Sequence, residues 1–477
     1  MRGLEIVSRT GVRIWNDTFL INALCGALAE GDVEGAGGFS RQIESLPIGD
    51  RKFDVFLRAY AAAWFAMLQG DAFLAHRHLK LAVGTSSELG LPFFEVIAGI
   101  GLSQVLFDSG DEQGALQEMA CARQLAGKLR NKLLDFTLLM CRAHMALRGP
   151  EEEALSLLRA ALALGREHGL MHFPWWQPQK ITELCQRALE ADIEPDYVRQ
   201  LILRRELAPA RPPYQLDTWP WRFRIEALGS FRLTRSGPAA CSNAKRAGRP
   251  LDLLKVLVAN GGEGVKLERA AEALWPHVDN DYAIRSLTTA LHRLRKDLGE
   301  DSAVFVKSGE LSLNRRFFWL DTWAFEQAGD RAFALAHQAR TAEQAQALVG
   351  ATRAALNYCR GTLLADDAQS AWSVAPRERF RSQLLRLLTT VAAVLEKHGL
   401  FEDLINLYRQ ALESDALNEA LYRRLMLSLA NAKRPHEASE VYQCCRAIFK
   451  AERQSDPSVA TQELYRSLCL ARTVTAV

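Results

Sequence analysis

Residues 281–298, DYAIRSLTTALHRLRKDL, predict a helix whose two sides differ in chemistry. At 3.6 residues per turn, the apolar side carries Ile284, Leu287, Leu291, Leu294 and Leu298. The opposite side carries Arg285, Thr289, His292, Arg293 and Lys296, with Thr288 and Arg295 nearer the boundary between the two sides. Arginine and lysine neutralise phosphates or donate to guanine, threonine contacts a thymine methyl group or a phosphate oxygen, and histidine donates at a base edge. A basic face on an amphipathic helix is more often ordinary solvated surface than a DNA-binding site. The flanking segments therefore determine whether DNA binding is the better interpretation.

The flanking segments predict a winged helix-turn-helix. Upstream, WRFRIEALGSFRLTRSG alternates apolar and polar side chains as strands do, and KRAGRPLDLLKVLVANGG predicts a first helix that stops at Gly261 and Gly262. VKLERAAEALWP predicts a second helix that ends before Pro276. Downstream, VFVKSGELSLN alternates around Ser308 and Gly309, which signals a hairpin. In this arrangement the third helix, residues 283–298, enters the major groove and the hairpin lies along the DNA backbone.

The predicted third helix concentrates positive charge. Between residues 283 and 298 there are four cations and one anion, so this helix is as positive, at +3, as the entire chain. Cations before the first helix, at the start of the second helix and in the hairpin would add phosphate contacts, with ordinary surface charge as the alternative. They are Lys245, Arg246, Arg249, Lys266 and Lys307. Each neutralised phosphate makes the DNA affinity fall with added salt.

The N-terminal residues predict an α-solenoid. From about residue 19 to residue 207 the pattern is helical, with no convincing strand. Similar breaks recur around Gly70, Gly110 and Gly149, at spacings of 40 and 39 residues. Each break is followed by a small residue where two helices must approach closely, and these are Ala75, Ala115 and Ala154. Helix pairs of this kind bury their faces against their neighbours. An irregular helical domain without repeats is the alternative.

Two segments interrupt the helical pattern. The aromatic group Phe173, Trp175 and Trp176 either packs between repeats, which we favour, or lines a ligand pocket. Residues 208–221, APARPPYQLDTWPW, have the proline content of an extended, semi-rigid linker and mark a domain boundary. His76 and His78 are two residues apart, so a helix directs them to different sides and we do not expect them to bind a metal.

Composition narrows the class of protein. A chain of 477 residues is long enough for about two to four domains, and 48% hydrophobic with 24% charged residues is ordinary for a soluble protein. No apolar run approaches the ~18 residues of a membrane span, and the N-terminus lacks a signal-peptide core. The nine cysteines are scattered without a C-x-x-C pair, as reduced thiols are. We therefore expect a cytoplasmic protein that does not contact a membrane.

Most of the chain resembles known bacterial regulators. Residues from about 222 to 325, with RIEALGSFRL, LLKVLVANGG, AAEALWP, TTALHRLRKDLG and LDTWAFE, resemble the OmpR-type winged helix of SARP-like transcriptional activators. LLADDAQSAWSVAPRERFRSQLLRLL and the segment from LFEDLINLY to YQCCRAIF resemble the bacterial transcriptional activator domain. In the latter segment, Gly399 and Lys433 mark equivalent turns 34 residues apart, the tetratricopeptide period. The N-terminal solenoid resembles that of MalT-like regulators.

The resemblance implies a mainly α fold with four segments. They are a tetratricopeptide-like solenoid (1–207), a Pro-rich linker (208–221), an α+β winged helix-turn-helix (222–316) and a second all-α, tetratricopeptide-like activator domain (317–477). It also implies that Trp275 ends the second helix, where its indole N–H can reach a phosphate; core packing of its ring is an equal and compatible interpretation. Relatives with such a solenoid often carry a nucleotide-binding domain, whereas this chain has no G-x-x-x-x-G-K-[ST] motif. ATP-dependent switching is therefore not expected.

The sequence thus predicts a transcriptional regulator, an activator, that binds double-stranded DNA. Expected partners are RNA polymerase, a second copy on DNA, and an effector protein, peptide or small molecule at the solenoid. No H-E-x-x-H, G-x-S-x-G or Cys/His cluster with ligand spacing is present, so we expect no enzyme, cofactor or metal site. The alternative is a helical-repeat scaffold whose winged helix docks protein. DNA binding should weaken steeply with salt, whereas a largely apolar docking surface should not.

Overall fold

The computed structural model describes residue 9 and residues 16–46, 51–209, 211–235 and 248–474, with side chains to residue 469. The chain forms two compact units, Met1–Pro220 and Trp221–Val477. Most of the described residues are helical and the few strands all lie in the second unit, so the prediction of a mainly α fold is confirmed. Arg246, which the sequence predicts to contact DNA, and its neighbour Lys245 lie outside the described residues.

The first unit is a succession of helices joined by short turns. They are α1 (Asn16–Glu30), α2 (Val33–Glu44), α3 (Lys52–Leu68), α4 (Ala72–Glu88), α5 (Pro92–Asp108), α6 (Glu112–Leu129), α7 (Lys132–Ala146), α8 (Glu151–His168), α9 (Pro178–Glu190) and α10 (Pro195–Arg204). Gly70 and Gly110 occupy the left-handed region at the two equivalent turns, with φ of +85° and +89°. Asp71 and Asp111 then cap the next helix by accepting from the backbone N–H three residues on.

Close helix approach in the first unit follows the predicted pattern. Ala75, Ala115 and Ala154 are all buried, as expected for small residues at helix–helix contacts. The first helices of successive pairs, α3, α5 and α7, carry the largest buried sets, and α5 is buried over most of its circumference. Its apolar composition explains why, since a helix without a polar side must be covered by protein on all sides.

The aromatic segment at residues 172–177 packs across α3, α5 and α7. The Trp175 ring lies 6.2 Å from that of Trp64 in α3, and the Phe173 ring lies 5.6 Å from that of Phe136 in α7, between ring centroids. The Trp64 indole N–H donates to the carbonyl of Trp176 over 3.0 Å. Packing between helices, the favoured prediction for this segment, is what the structure shows. Trp175 is held at φ +65°, a conformation that costs a non-glycine residue of order 1–3 kcal/mol.

Residues 211–220 differ from the extended spacer that their prolines predict. They form hydrogen-bonded turns, in which the N–H of Leu216 donates to the carbonyl of Pro213 and that of Trp219 to the carbonyl of Leu216. Tyr214 and Trp219 are buried. The physical reason is that large aromatic side chains lie among the prolines. Their burial stabilises a compact conformation relative to an extended, solvated one.

The second unit contains two small sheets. Its strands are β1 (Phe223–Glu226), β2 (Arg232–Arg235), β3 (Val265–Lys266), β4 (Val304–Lys307), β5 (Glu310–Leu313) and β6 (Phe318–Leu320). In the first sheet β1 pairs antiparallel with β2 and parallel with β6. In the second sheet β5 is central and pairs antiparallel with β3 and β4. Phe223, Ile225 and Ala227, whose alternation predicts a strand facing the core, are buried.

In the described part of the second unit, one α-helix lies between β2 and β3, two lie between β3 and β4, and seven follow β6. The first three are α11 (Arg249–Ala259), α12 (Leu267–Leu274) and α13 (Asn280–Leu298). The later helices are α14 (Asp321–Gln338), α15 (Ala342–Leu356), α16 (Ala371–Lys397), α17 (Phe401–Ser414), α18 (Glu419–Asn431), α19 (Pro435–Arg453) and α20 (Val459–Val474). Gly399 and Lys433, at the predicted equivalent turns, both adopt left-handed φ, of +71° and +63°.

The region around α11–α13 is joined to the later helices by shared backbone hydrogen bonds. The N–H of Gly229 donates to the carbonyl of Thr362, and the N–H of Leu364 donates to the carbonyl of Ala227 over 2.7 Å. A further bond runs from the N–H of Ala365 to the carbonyl of Gly229. Residues 226–231 and 360–367 therefore form one structure, which we call the backbone clasp. Gly229 and Gly361 approach so closely that a Cβ on Gly361 would lie 3.0 Å from the Gly229 Cα.

A second contact joins the same regions through glycine. Gly262, at φ +76°, follows α11, and a Cβ there would lie 2.6 Å from the Trp323 ring. The Trp323 indole N–H donates to the carbonyl of Gly261 over 2.8 Å. Gly261 and Gly262, which the sequence predicts to end the helix, thus also make room for Trp323 from α14. A side chain larger than glycine at position 262 would occupy the space of the Trp323 ring.

Asp321 links the start of α14 to the backbone clasp. Its Oδ2 accepts from the N–H of Ala227 over 2.7 Å and from that of Leu228 over 2.8 Å. The side chain is buried. Burial raises the pKa of this carboxyl to about 6, although the hydrogen bonds from Leu228 and Ala227 act to lower it. The carboxylate therefore anchors the chain immediately after β1.

Candidate nucleic-acid interface

The predicted third helix forms as α13 and is capped at both ends. The Asp279 carboxylate accepts from the N–H of Asp281 over 3.0 Å at its start. Gly299 ends it at φ +66°, where glycine is favoured. The buried side is made by Ala283, Leu287, Ala290, Leu291, Leu294 and Leu298, whereas Ile284 is half-buried. The apolar side predicted from the sequence therefore packs on the core, with Ile284 at its edge.

The opposite side of α13 is open to solvent. Six predicted DNA-contacting residues are exposed there: Arg285, Thr288, Thr289, His292, Arg293 and Lys296. Among the residues that the structure describes, the charged groups of Arg285, Arg293 and Lys296 form no salt bridge. Three cations on one helix face, with no carboxylate paired to them among the described residues, leave a local positive field that attracts an anionic partner.

Several side chains on this face are oriented by the helix itself. The Arg285 Nε donates to the carbonyl of Asp281 over 3.2 Å, which leaves both terminal nitrogens of the guanidinium uncommitted. The hydroxyls of Thr288 and Thr289 donate to the carbonyls four residues before them, over 3.0 and 3.1 Å. Both threonines therefore present methyl groups and oxygen lone pairs rather than hydroxyl hydrogens.

Arg295 lies at the edge of the exposed side of α13 and makes a contact within the protein. Its Nε donates to the carbonyl of Val304 over 2.8 Å, and the side chain is half-buried. This bond ties α13 to the first strand of the hairpin that follows. The boundary position predicted from the sequence thus corresponds to a structural role, and Arg295 is not among the exposed cations.

The predicted hairpin is present as β4 and β5. Ser308 and Gly309, its two turn residues, both have positive φ, of 52° and 78°, as a type I′ turn requires. Lys307 and Lys266, two predicted phosphate contacts, are exposed and each lies opposite Glu310 in the register of the sheet. The Glu310 carboxylate is therefore flanked by two lysines, and these three residues together carry a net positive charge.

The remaining predicted contacts lie at the starts and ends of α11 and α12. Trp275 follows α12 and is half-buried, with the Arg249 guanidinium 5.4 Å from its ring centroid. Arg249 also lies 3.7 Å from Asp252, a weak exposed pair. The structure thus brings Trp275 and Arg249 together, and the ring has both a packed and an open side. This geometry is compatible with either interpretation of Trp275.

One cation on the same part of the unit was missed from the sequence. Arg269 lies in the first turn of α12, three residues after Lys266, and is exposed. Lys266 immediately precedes α12, so two cations at the start of this helix could have been noted from the sequence. Arg269 is therefore a further candidate for contact with a phosphate.

Other kinds of site find little support in the described residues. They contain no group of three or more His, Cys, Asp or Glu side chains placed to hold a metal ion. None of the described helices is both long and apolar enough to cross a bilayer. In the first unit, a cavity between Gln104, His144 and Trp175 measures about 10 Å³, which is the room of about one water molecule.

The comparison with protein families concerns the C-terminal third of the chain. Residues 320–469 match the family described as bacterial transcriptional activator domain. The match begins at the end of β6 and extends through the helices α14–α19 into α20. The resemblance predicted for this part of the chain is therefore confirmed. No curated protein matches the chain.

Solved structures are similar to this chain only at a low level. Mycobacterium tuberculosis EmbR, in complex with a low affinity phosphopeptide, is 18% identical over 52% of this chain and 65% of that chain, with a TM-score of 0.37. The similarity thus covers less than two thirds of the EmbR chain. The APC/C hetero-tetramer Cut9-Hcn1 is 11% identical, covering 98% of both chains, with a TM-score of 0.20. At these scores neither similarity supports a conclusion about fold or function.

Proposed function

We propose that this chain is a sequence-specific DNA-binding transcriptional regulator, an activator that works in the cytoplasm without catalysis. In this proposal α11–α13 and the β4–β5 hairpin form an OmpR-type winged helix, and α13 reads the major groove. The observation that carries the proposal is the exposed side of α13, where three cations without salt bridges in the described residues stand on a helix followed by a hairpin. The activator-domain match over residues 320–469 supports the same function.

The contacts divide into two classes by chemistry. In this proposal Arg285, Thr288, Thr289, His292 and Arg293 would face base edges, whereas Lys266, Arg269, Lys307 and the Trp275 indole would contact phosphates. Base contacts give sequence preference and phosphate contacts give position and salt dependence. The helices α14–α20 would then contact RNA polymerase or a second copy bound to the same promoter.

Replacing Arg293 with Ala is expected to weaken binding to the cognate duplex by about 1–3 kcal/mol, because an arginine that contacts a guanine is lost. Fluorescence anisotropy on duplexes recovered by footprinting of the purified protein on its own genomic DNA would measure this. Arg331→Ala removes the same charge from an exposed site on α14 and should leave affinity unchanged. Equal binding of wild type and Arg293→Ala to cognate and scrambled duplexes would contradict the assignment of α13.

Salt dependence separates this proposal from the alternative of a protein-docking scaffold. Each phosphate contact contributes about −0.9 to the slope of log affinity against log salt. Binding through Lys266, Lys307 and the cations of α13 should therefore give a steep negative slope. A partner that is a protein, bound with little change between low and high salt, would favour the scaffold function.

The first unit is proposed to receive the signal, from an effector protein, peptide or small molecule. Deleting residues 1–220 is expected to change DNA affinity or promoter output in the absence of any effector, because a regulatory domain biases the equilibrium between DNA-competent and incompetent states, typically by 1–3 kcal/mol. Binding curves and promoter assays with the full chain and with residues 221–477 would measure the change. Superimposable results, with and without cell extract, would show that the first unit does not regulate DNA binding.

A further inference from the structure

We infer that α13 selects duplexes with two guanines, read by Arg285 and Arg293, and with thymine between or beside them, and that it selects against adenine and cytosine at the guanine positions. This inference rests on the proposed function and makes it more specific. It concerns which bases are read, whereas the proposed function concerns only whether DNA is bound.

The two arginines carry the donors that guanine recognition requires. Both are exposed, and Arg285 uses only Nε within the helix, so its two terminal nitrogens can donate together. Guanine is the base that offers two acceptors, O6 and N7, on its major-groove edge. Adenine offers N7 beside an amino group, which would oppose the second donor of a guanidinium. Each arginine therefore favours guanine over adenine.

The two guanines should be separated by a short, fixed distance. Arg285 and Arg293 are eight positions apart in the sequence, which corresponds to about 12 Å along a helix that rises 1.5 Å per residue. Successive base pairs are about 3.4 Å apart along the duplex. Eight residues make two full turns and about 80° more, so the two side chains leave the helix on adjoining parts of its exposed side. In a helix lying along the groove, the two positions therefore differ by roughly three to four base pairs along the duplex.

The sequence between the arginines contains nothing that would read the other two bases strongly. Bidentate recognition of adenine uses Asn or Gln, and recognition of cytosine uses Asp or Glu. None of these four residue types occurs between positions 285 and 296, and the nearest carboxylates, Asp281 and Asp297, lie in the first and last turns of the helix. No side chain in this stretch can therefore make the contacts by which these residue types recognise adenine or cytosine.

Thymine is favoured by the two threonines. Because the hydroxyl hydrogens of Thr288 and Thr289 are donated to the helix backbone, the two side chains offer a base edge their methyl groups and single oxygen acceptors, but no donor. A methyl group makes apolar contact with the C5 methyl of thymine. His292 can donate or accept and Lys296 is a flexible single donor, so neither opposes this preference.

The test uses the full chain and a pool of random duplexes. Selection and sequencing should give a motif with two guanines about three to four base pairs apart, accompanied by thymine. On the best duplex, replacing either guanine with 7-deazaguanine removes the N7 acceptor and should weaken binding at least about fivefold. Replacing the thymine with uracil removes only the methyl group and should also lower affinity. Arg285→Gln and Arg293→Gln should each change the preferred base at one position from guanine to adenine.

Each outcome has a distinct consequence. Arg331→Gln, on α14, should leave the motif unchanged. A motif without the guanines, or one unaffected by 7-deazaguanine and by both arginine variants, would overturn the inference while leaving DNA binding in place. Failure of the full chain to enrich any duplex would overturn the proposed function itself. Because both arginine positions are exposed, unchanged thermal unfolding of the variants would confirm that the loss is not one of folding.

Discussion

Replacing Asp321 with Ala is expected to lower the free energy of unfolding of the second unit by about 2–6 kcal/mol. The reason is that Ala227 and Leu228 would keep their N–H groups in a buried place without an acceptor. A buried donor without a partner costs about 1–3 kcal/mol, and this substitution leaves two. Chemical denaturation of residues 221–477, followed by circular dichroism, would measure the loss.

Asp321→Asn is the matched control, because the amide oxygen can still accept while the charge is absent. It should lose much less stability than Ala. It should also change the dependence on pH. The pKa of Asp321 is raised to about 6 in the folded chain, mainly by burial, above its ordinary value of 3.8. Between these two pH values Asp321 is protonated in the folded chain but ionised in the unfolded chain. Proton binding to Asp321 therefore contributes fully to stability below about pH 4, and this contribution is lost as the pH rises through 6.

The pH dependence of stability provides a separate test of the role of Asp321. The wild type should gain stability, relative to Asp321→Asn, as the pH falls from 7 to 5. A parallel pH profile for the two proteins, or an Ala variant as stable as the Asn variant, would show that the carboxylate does not hold the backbone clasp.

Removing residues 329–477 is expected to prevent stable folding of the DNA-contacting region. A fragment of residues 221–328 lacks residues 360–367, which make half of the backbone clasp, and leaves the N–H of Gly229 and the carbonyl of Ala227 without their partners. It also loses the contact between Lys255 and Asp367, which are 3.1 Å apart from Nζ to Oδ1 and mostly buried. The physical cause is therefore the loss of both backbone pairing and a charge partner in the interior.

Thermal unfolding of residues 221–328 beside residues 221–477 would measure this effect. The longer fragment should unfold in one cooperative transition, whereas the shorter one should show no sharp transition and little DNA binding at room temperature. The result would contradict the structure if the shorter fragment unfolded at the same temperature as the longer one. A chain that folds alone up to residue 328 would instead favour two separable domains.

Much of this arrangement follows from sequence patterns that act locally. The apolar side of residues 281–298 predicted which face of α13 is buried, because helical period and hydrophobic burial depend only on nearby residues. Alternation in β1 and the Ser308–Gly309 turn were predictable for the same reason. Arg295 was placed correctly at the edge of the basic face, although its hydrogen bond to Val304 was not predictable.

Contacts between distant segments were not predictable. Nothing in the spacing of residues 226–231 and 360–367 indicates that they pair, since the bonds use backbone groups that every residue carries. Asp321 reads as an ordinary helix-start carboxylate, and only the fold brings Ala227 and Leu228 to it. Residues 211–220 were misjudged because proline content predicts stiffness but not what the intervening aromatic side chains will bury.

The backbone clasp also constrains the order in which the protein can be made. A ribosome adds roughly 5–20 residues per second, so the chain after β6 needs several seconds to reach residue 367. During that interval the backbone groups of Ala227, Leu228 and Gly229 have been synthesised but lack the segment that pairs with them. The DNA-contacting region therefore reaches its native state only after much of the later helical region exists. Nascent chains interrupted before residue 360 would expose these unpaired backbone groups to chaperones, and a truncated message would yield no partially active DNA-binding fragment.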